Sequence, residues 1–155
     1  MTIRKLILGL VAMLTFSATA NAGEGAYSDF AHSTPAVQGY DVVSYHVSKR
    51  PARGNGNFVT TYKGATYQFA NKANLQKFNK SPEKYVPAYG GFCAFGASVG
   101  KKFIGDPEVW RVVDGKLYLN LDVGIQEKWL EDVPGRIAKA DEYWKEIHDK
   151  SPASL

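Results

Sequence analysis

The chain has 155 residues, of which 19 are basic and 15 acidic, and its formal net charge is +4. Hydrophobic residues make up 45% and charged residues 22%, which is typical of a globular domain and excludes a disordered chain. The single cysteine, Cys93, excludes an internal disulfide and a zinc site built from several thiolates.

The N-terminal segment has the features of a secretory signal peptide. Arg4 and Lys5 are followed by a mainly apolar stretch of 11 residues, 6–16, and then by the cleavage pattern Ala20-Asn21-Ala22. This apolar segment is shorter than the roughly 20 residues that a membrane-spanning helix needs. We therefore expect residues 1–22 to be removed, which leaves a periplasmic or secreted chain without a membrane span. Removal lowers the net charge to +2 and, with the basic residues scattered, predicts no nucleic-acid partner.

The remaining chain is predicted to hold a flexible lead-in at residues 23–35, a domain at 36–149 and a polar tail at 150–155. The domain begins with a predicted strand at residues 42–47, where β-branched and aromatic residues dominate, and a loop at 48–57 follows. Two β-hairpins are predicted, the first turning at Lys63-Gly64 and the second at Asp114-Gly115. Their strands are predicted at residues 58–62 with 65–69, and at residues 109–113 with 117–121.

Four helices are predicted from capping residues and apolar spacing. Asn71 and Ser81-Pro82 are typical of helix starts. Apolar residues recur every four positions from Ile125 to Val133, and we predict that Pro134-Gly135 ends that helix before a C-terminal one. Short antiparallel strands with helices grouped after them indicate an α+β fold, in which helices pack on a small antiparallel sheet.

Cys93 is the first candidate for chemistry. It lies in a segment of glycines and aromatic residues, 90–96, where glycine allows the backbone to form a tight concave loop. A thiolate suits copper(I) and other soft metal ions, and it is a nucleophile or redox group when its pKa is lowered. The structural alternative is a small apolar side chain buried between Phe92 and Phe95.

His46 and Asp41 are the other candidate metal ligands. Imidazole is the commonest transition-metal ligand, although strand alternation would favour a surface position for His46. Asp41 precedes the predicted strand, and three roles are open for it: a metal ligand, a base, or a residue that caps a turn. A third interpretation is an enzyme with Cys93 as nucleophile and His46 as base, but the sequence shows no third group that would orient the base. The sequence therefore favours a protein without catalytic activity.

Aromatic residues accompany the two glycine-rich segments and offer a second interpretation. A concave apolar pocket lined by them would suit a small ligand or a protein partner. The candidate wall residues are Tyr40, Tyr45, Tyr89, Phe92 and Phe95.

Four motifs in order resemble those of YHS domain proteins. Residues 39–45, GYDVVSY, are similar to the family's G-Y-D-P-V-A-Y opening, and residues 89–94, YGGFCA, to the Y-G-G-Y-C-A block of its exported bacterial branch. The hairpin at residues 63–69 and the SPEKYVP segment at 81–87 resemble the motifs between them. The resemblance extends over roughly residues 35–146.

The resemblance implies a small α+β module with a metal-related role, because many family members are proposed to bind metal. Ser44, Ala70 and Asn74 stand where the metal-associated branch carries cysteines, so that thiolate site is not transferred. We therefore expect an exported module that binds copper or another transition metal through Cys93, His46 and Asp41. The alternative is a metal-free module whose aromatic pocket takes a small ligand or an envelope protein.

Overall fold

The computed structural model describes residues 35–155. The predicted signal peptide and nearly all of the predicted lead-in lie outside the described residues. None of the helices in the described part has the length and apolar character needed to cross a membrane. The elements in chain order are α1 (Ser44–Val47), β1 (Asn55–Tyr62), β2 (Ala65–Phe69), α2 (Lys72–Lys80), α3 (Pro82–Tyr85), α4 (Ala94–Ala97), β3 (Asp106–Val113), β4 (Lys116–Asn120), α5 (Val123–Leu130) and α6 (Val133–Ile147), with 3-10 turns at Val37–Gly39, Ala88–Gly91 and Pro152–Ser154.

Both predicted hairpins are confirmed, and the mixture of helices and antiparallel strands confirms the α+β class. Strands β1 and β2 form one two-stranded sheet, and β3 and β4 form a second. The turn residues Lys63-Gly64 and Asp114-Gly115 all have positive φ, between 48° and 80°. Positive φ at both central residues defines the type I′ turn, whose twist matches that of the flanking strands. The local turn chemistry therefore positions both hairpins.

The predicted strand at residues 42–47 is wrong, because this segment turns into helix α1. The Asp41 carboxylate accepts a hydrogen bond from the Val43 amide at 2.9 Å. The Asp41 carbonyl oxygen accepts from the Ser44 amide at 3.0 Å and from the Ser44 hydroxyl at 2.6 Å. These local bonds hold the backbone in a helical turn, which overrides the β propensity of the valines.

Most helix starts are confirmed, and one helix end is corrected. The Asn71 side chain caps α2 by accepting from the Asn74 amide, whereas Ser81 makes no such bond before Pro82 in α3. Pro134-Gly135 does not end a helix but lies in the first turn of α6, where proline fits because no amide hydrogen is needed. The break comes earlier, at Asp132, whose side chain caps α6 by accepting from the Gly135 amide at 3.0 Å.

The core has two clusters that share strand β4. Leu117 and Leu119 belong to the first cluster, and Tyr118 between them belongs to the second, because successive strand side chains point to opposite faces. The first cluster also contains Tyr45, Tyr67, Phe69 and Phe78, and the second contains Tyr89, Ala94, Ala97, Trp129 and Ala140. Strand β4 therefore connects the hairpins to the layer formed by α4, α5 and α6.

Candidate functional site

Asp41 lies at a buried junction of the fold. Its carboxylate is fully buried and accepts from the amide of Val43, the amide of Ala70 at 2.9 Å and the side-chain nitrogen of Asn74 at 2.7 Å. These three bonds connect α1 to the end of β2 and to α2. The predicted turn-capping role is therefore present, and it is joined by two longer-range bonds that the sequence did not reveal.

Cys93 is buried at the N-cap of α4, with 1% of its surface exposed. Its sulfur accepts a hydrogen bond from the Gly96 amide at 3.3 Å, and its thiol donates to Asn120 Oδ1 at 3.7 Å. Burial raises the pKa of the Cys93 thiol, against the opposing effect of nearby backbone amides. A raised pKa keeps the thiol protonated near neutral pH, which lowers its nucleophilicity and its affinity for metal ions.

His46 lies on α1 and packs edge-on against Tyr85, with ring centroids 5.3 Å apart. Its Nε2 atom is buried and has no hydrogen-bond partner among residues 35–155. Burial lowers the pKa of His46, and the nearby positive charges of Lys84 and Lys116 act in the same direction. The imidazole is therefore neutral near neutral pH.

The predicted ligands Cys93, His46 and Asp41 do not form one donor set. Within the described part of the chain, no three side chains of His, Cys, Asp or Glu form a group that could hold a metal ion. The hydrogen bonds of the Cys93 sulfur go to Gly96 and Asn120, and the catalytic pair that would join it to His46 is not formed. The donors described here therefore do not fit a shared metal site.

The five aromatic residues predicted to line a pocket are placed in different environments. The Tyr40 hydroxyl donates to Glu108 at 2.5 Å, and the buried Tyr45 hydroxyl donates to the Pro107 carbonyl at 2.9 Å. Phe92 contacts Trp144 and Lys102, and Phe95 lies beneath the Arg136 guanidinium. Of the five, Tyr89 alone lines the cavity described next.

An open cavity of about 520 Å³ lies between the 3-10 turn at Ala88–Gly91, the start of β4 and the C-terminal half of α6. Its aromatic lining consists of Tyr89, Tyr118 and Trp144, and we call it the aromatic cavity. The Tyr89 ring centroid lies 5.9 Å from that of Tyr118 and 5.6 Å from that of Trp144. Residues 86–88 and Gly90 complete the apolar part of the lining.

Tyr89 is held in a fixed orientation. Its hydroxyl donates to Asp141 at 2.9 Å, which ties the turn to α6. Burial and this bond raise the pKa of Tyr89 far above its usual range, so the hydroxyl remains protonated. Its backbone has φ of 52°, a left-handed conformation that costs a non-glycine residue energy and persists where surrounding contacts enforce it.

The ionisable side chains around the aromatic cavity are mostly basic. Lys63, Lys116, Lys145 and His148 line it, and Asp141 is the acidic lining residue. Lys63 pairs with Glu83 at 3.0 Å, and His148 Nε2 lies 3.0 Å from Asp149. Lys116 and Lys145 make no ion pair with any residue between 35 and 155. Two lysines therefore border the aromatic surface without a salt bridge, although Lys116 is near enough to Glu83 to lower the pKa of that carboxyl.

Comparison with protein families finds a similarity over part of the described chain. Residues 43–89 match the family model of the YHS domain. This segment is similar to the YHS domain. The matched range is shorter than the resemblance noted in the sequence, and it runs from the α1 region to Tyr89 on the wall of the aromatic cavity. No curated protein and no solved structure matches the chain. The YHS domain is associated with metal-binding and transport proteins.

The sequence did not predict four residues that line the aromatic cavity: Tyr118, Trp144, Lys116 and Lys145. Alternation along the second hairpin could have placed Tyr118 on the face opposite Leu117 and Leu119. Nothing local could have brought Trp144 beside Tyr89, because the two residues are far apart along the chain.

Proposed function

We propose that this YHS-domain protein is an exported binding module that holds a small ligand in the aromatic cavity. The observation that carries the proposal is the convergence of Tyr89, Tyr118 and Trp144, from three separate elements, on one cavity of about 520 Å³. Small-molecule sites have volumes of roughly 300–1,000 Å³ and are lined mainly by apolar and aromatic side chains.

The packing around these rings supports a site that is formed before the ligand arrives. Tyr118 stacks on the fully buried Trp129, with ring centroids 5.5 Å apart. The Lys102 ammonium lies 5.0 Å from the centre of the Trp144 ring, and Asp141 fixes the Tyr89 hydroxyl. Walls held in this way lose little conformational entropy on binding, which favours affinity.

The test uses a neutral apolar probe, N-phenyl-1-naphthylamine, whose fluorescence rises in an apolar site. Trp144→Ala should weaken its binding by about tenfold, because loss of a large ring removes an apolar wall worth more than ~1.4 kcal/mol. Tyr143→Ala is the matched control, since Tyr143 precedes Trp144 on α6, is 42% exposed and does not line the cavity.

The outcome separates the proposal from non-specific adsorption of the probe. A change of less than about twofold in the Tyr143→Ala variant is expected. Unchanged affinity in a folded Trp144→Ala variant, or equal losses in both variants, would contradict the proposal.

A soft metal ion is the second candidate ligand, and copper is the first to test. This candidate is supported by the association of YHS domains with metal-binding and transport proteins, and by the thiol of Cys93. Titration with Cu(I) and Zn(II) against a competing chelator, in the native protein and in Cys93→Ser, tests it. Loss of Cu(I) binding in the variant would support Cys93 as a ligand, and unchanged binding would contradict it.

Export forms part of both candidates and rests on the sequence of residues 1–22. Mass spectrometry of the protein isolated from a cell envelope fraction should give an N-terminus at Gly23. An intact N-terminus on protein retained in the cytoplasm would contradict export.

A further inference from the structure

We infer that the ligand of the aromatic cavity is a small organic anion, whose planar apolar body contacts Tyr89, Tyr118 and Trp144 while its anionic group meets Lys116 and Lys145. This inference rests on the proposed function and specifies the chemical class of the ligand. A carboxylate, a sulfonate or a phosphate ester would each satisfy it, because lysine recognises them by charge rather than by a shaped fork.

The balance of charge around the cavity is the first argument. Asp141 is the acidic lining residue, and its carboxylate already accepts the Tyr89 hydroxyl. The charge of Lys63 is met by Glu83. Lys116 and Lys145 form no salt bridge in the described part of the chain, and the lysines in the cavity lining outnumber its single carboxylate, Asp141. A charge beside an apolar wall acts more strongly on a ligand than one in open water.

The Tyr118 hydroxyl supplies the second argument. No hydrogen bond joins it to another described residue, although Tyr118 is buried, with 8% of its surface exposed, and lines the cavity. Burial and the negative charges of Asp141 and Asp114 raise the pKa of this phenol, so it remains a donor near neutral pH. A neutral donor in the lining of the same cavity as Lys116 and Lys145 is suited to an anionic oxygen.

The main competing ligand is an organic cation, because three aromatic faces also attract quaternary ammonium groups. The two lysines oppose it, since like charges at the same site disfavour binding. The aromatic residues therefore do not determine the sign of the ligand's charge, and the two lysines favour a negative charge.

The experiment compares two probes of similar shape and different charge, the anionic 1-anilinonaphthalene-8-sulfonate and the neutral N-phenyl-1-naphthylamine. The double variant Lys116→Gln with Lys145→Gln should bind the anionic probe about tenfold more weakly and the neutral probe within about twofold of the native protein. The matched control replaces Lys128 and Lys139, two exposed lysines of α5 and α6 outside the cavity lining, and should leave both affinities unchanged.

Salt provides a second readout, because screening shortens the range of the lysine charges. High salt should weaken anionic-probe binding to the native protein more than to the Lys116→Gln, Lys145→Gln variant. Neutral-probe binding should not weaken with salt in either protein.

The outcomes distinguish the inference from the proposed function. Anionic-probe affinity that is unaffected by the two lysine substitutions would overturn the inference while leaving the cavity as the site. Equal losses for both probes would also overturn it, because the lysines would then support the cavity shape rather than recognise charge. Tighter binding of tetramethylammonium than of the anionic probe would overturn it in favour of a cation site. Probe binding that ignores Trp144→Ala would instead contradict the proposed function.

Discussion

Replacing Asp41 with alanine should destabilise this protein more than any other single loss of a carboxylate in the described chain. The Asp41 carboxylate is fully buried and accepts three hydrogen bonds, from the amides of Val43 and Ala70 and from the Asn74 side chain. Alanine removes all three acceptors and leaves the donors in a buried junction between α1, β2 and α2.

The magnitude follows from the number of donors left without a partner. Each buried donor without an acceptor costs about 1–3 kcal/mol, and partial rearrangement of Asn74 reduces the sum, so we expect a loss of about 3–5 kcal/mol. Typical domains are stable by only about 5–15 kcal/mol, so this loss is a large fraction of the total. Asp41→Asn keeps the shape and one oxygen and should cost about 1.5–3 kcal/mol.

Urea unfolding followed by tryptophan fluorescence measures the effect, since Trp129 is fully buried in the native protein. Asp106→Ala is the control, because Asp106 accepts a single bond, from the Glu108 amide at 2.8 Å, and should cost about 1 kcal/mol. Asn74→Ala should cost less in the Asp41→Ala background than in the native protein, because the two side chains bond each other. A loss in Asp41→Ala no larger than in Asp106→Ala would refute this reasoning.

Three further predictions concern the response to alkaline pH, the loop before β3 and the end of the last helix. The free energy of unfolding should fall as pH rises above about 9, because burial raises the pKa of Cys93, Tyr67 and Tyr89. These groups therefore stay neutral in the folded protein but ionise in the unfolded chain. A melting temperature that is flat across this range, or that falls as steeply in Cys93→Ala, would contradict the role of the thiol. Gly105→Ala should destabilise the protein by about 2 kcal/mol or more, because the added Cβ would lie 2.6 Å from Leu119 Cβ and 2.7 Å from the Gly91 oxygen. Gly56→Ala is the control, because a Cβ at that position meets open space. Equal urea unfolding midpoints for the two variants would refute the close approach. Lys102→Met should lower the free energy of unfolding by about 1–2 kcal/mol, because Lys102 Nζ donates to the carbonyl oxygens of His148 and Lys150 at 2.6 and 2.8 Å at the end of α6. Lys101→Met, at the exposed neighbouring residue, is the control. Equal effects of the two substitutions in urea unfolding would contradict this capping role.

The parts of the fold that depend on local chemistry could be predicted from the sequence. The two hairpins follow from turn residues that adopt positive φ, and the start of α2 follows from the Asn71 cap. The segment at residues 42–47 was misread because its conformation depends on Asp41, which is itself held by Ala70 and Asn74 beyond the first hairpin. The amino-acid composition of residues 42–47 does not reveal these long-range hydrogen bonds.

The candidate site was predictable only in part for the same reason. Tyr89 was predicted as a wall residue because it is one of several aromatic residues that accompany the glycine-rich segments. Trp144 and Lys145 reach the cavity through the packing of α6 against the turn at residues 88–91, which no pattern within the helix reveals. Lys116 looks like an ordinary turn residue until the second hairpin places it beside the aromatic rings.

The most direct test of ligand binding in the aromatic cavity is a two-dimensional amide and indole NMR titration of the protein with 1-anilinonaphthalene-8-sulfonate. Binding in the aromatic cavity predicts that the largest shifts occur at the Trp144 indole and at the amides of Gly90, Tyr118 and Lys145. Saturable shifts centred instead on the exposed apolar residues Phe103 and Ile104, outside the cavity lining, would contradict it.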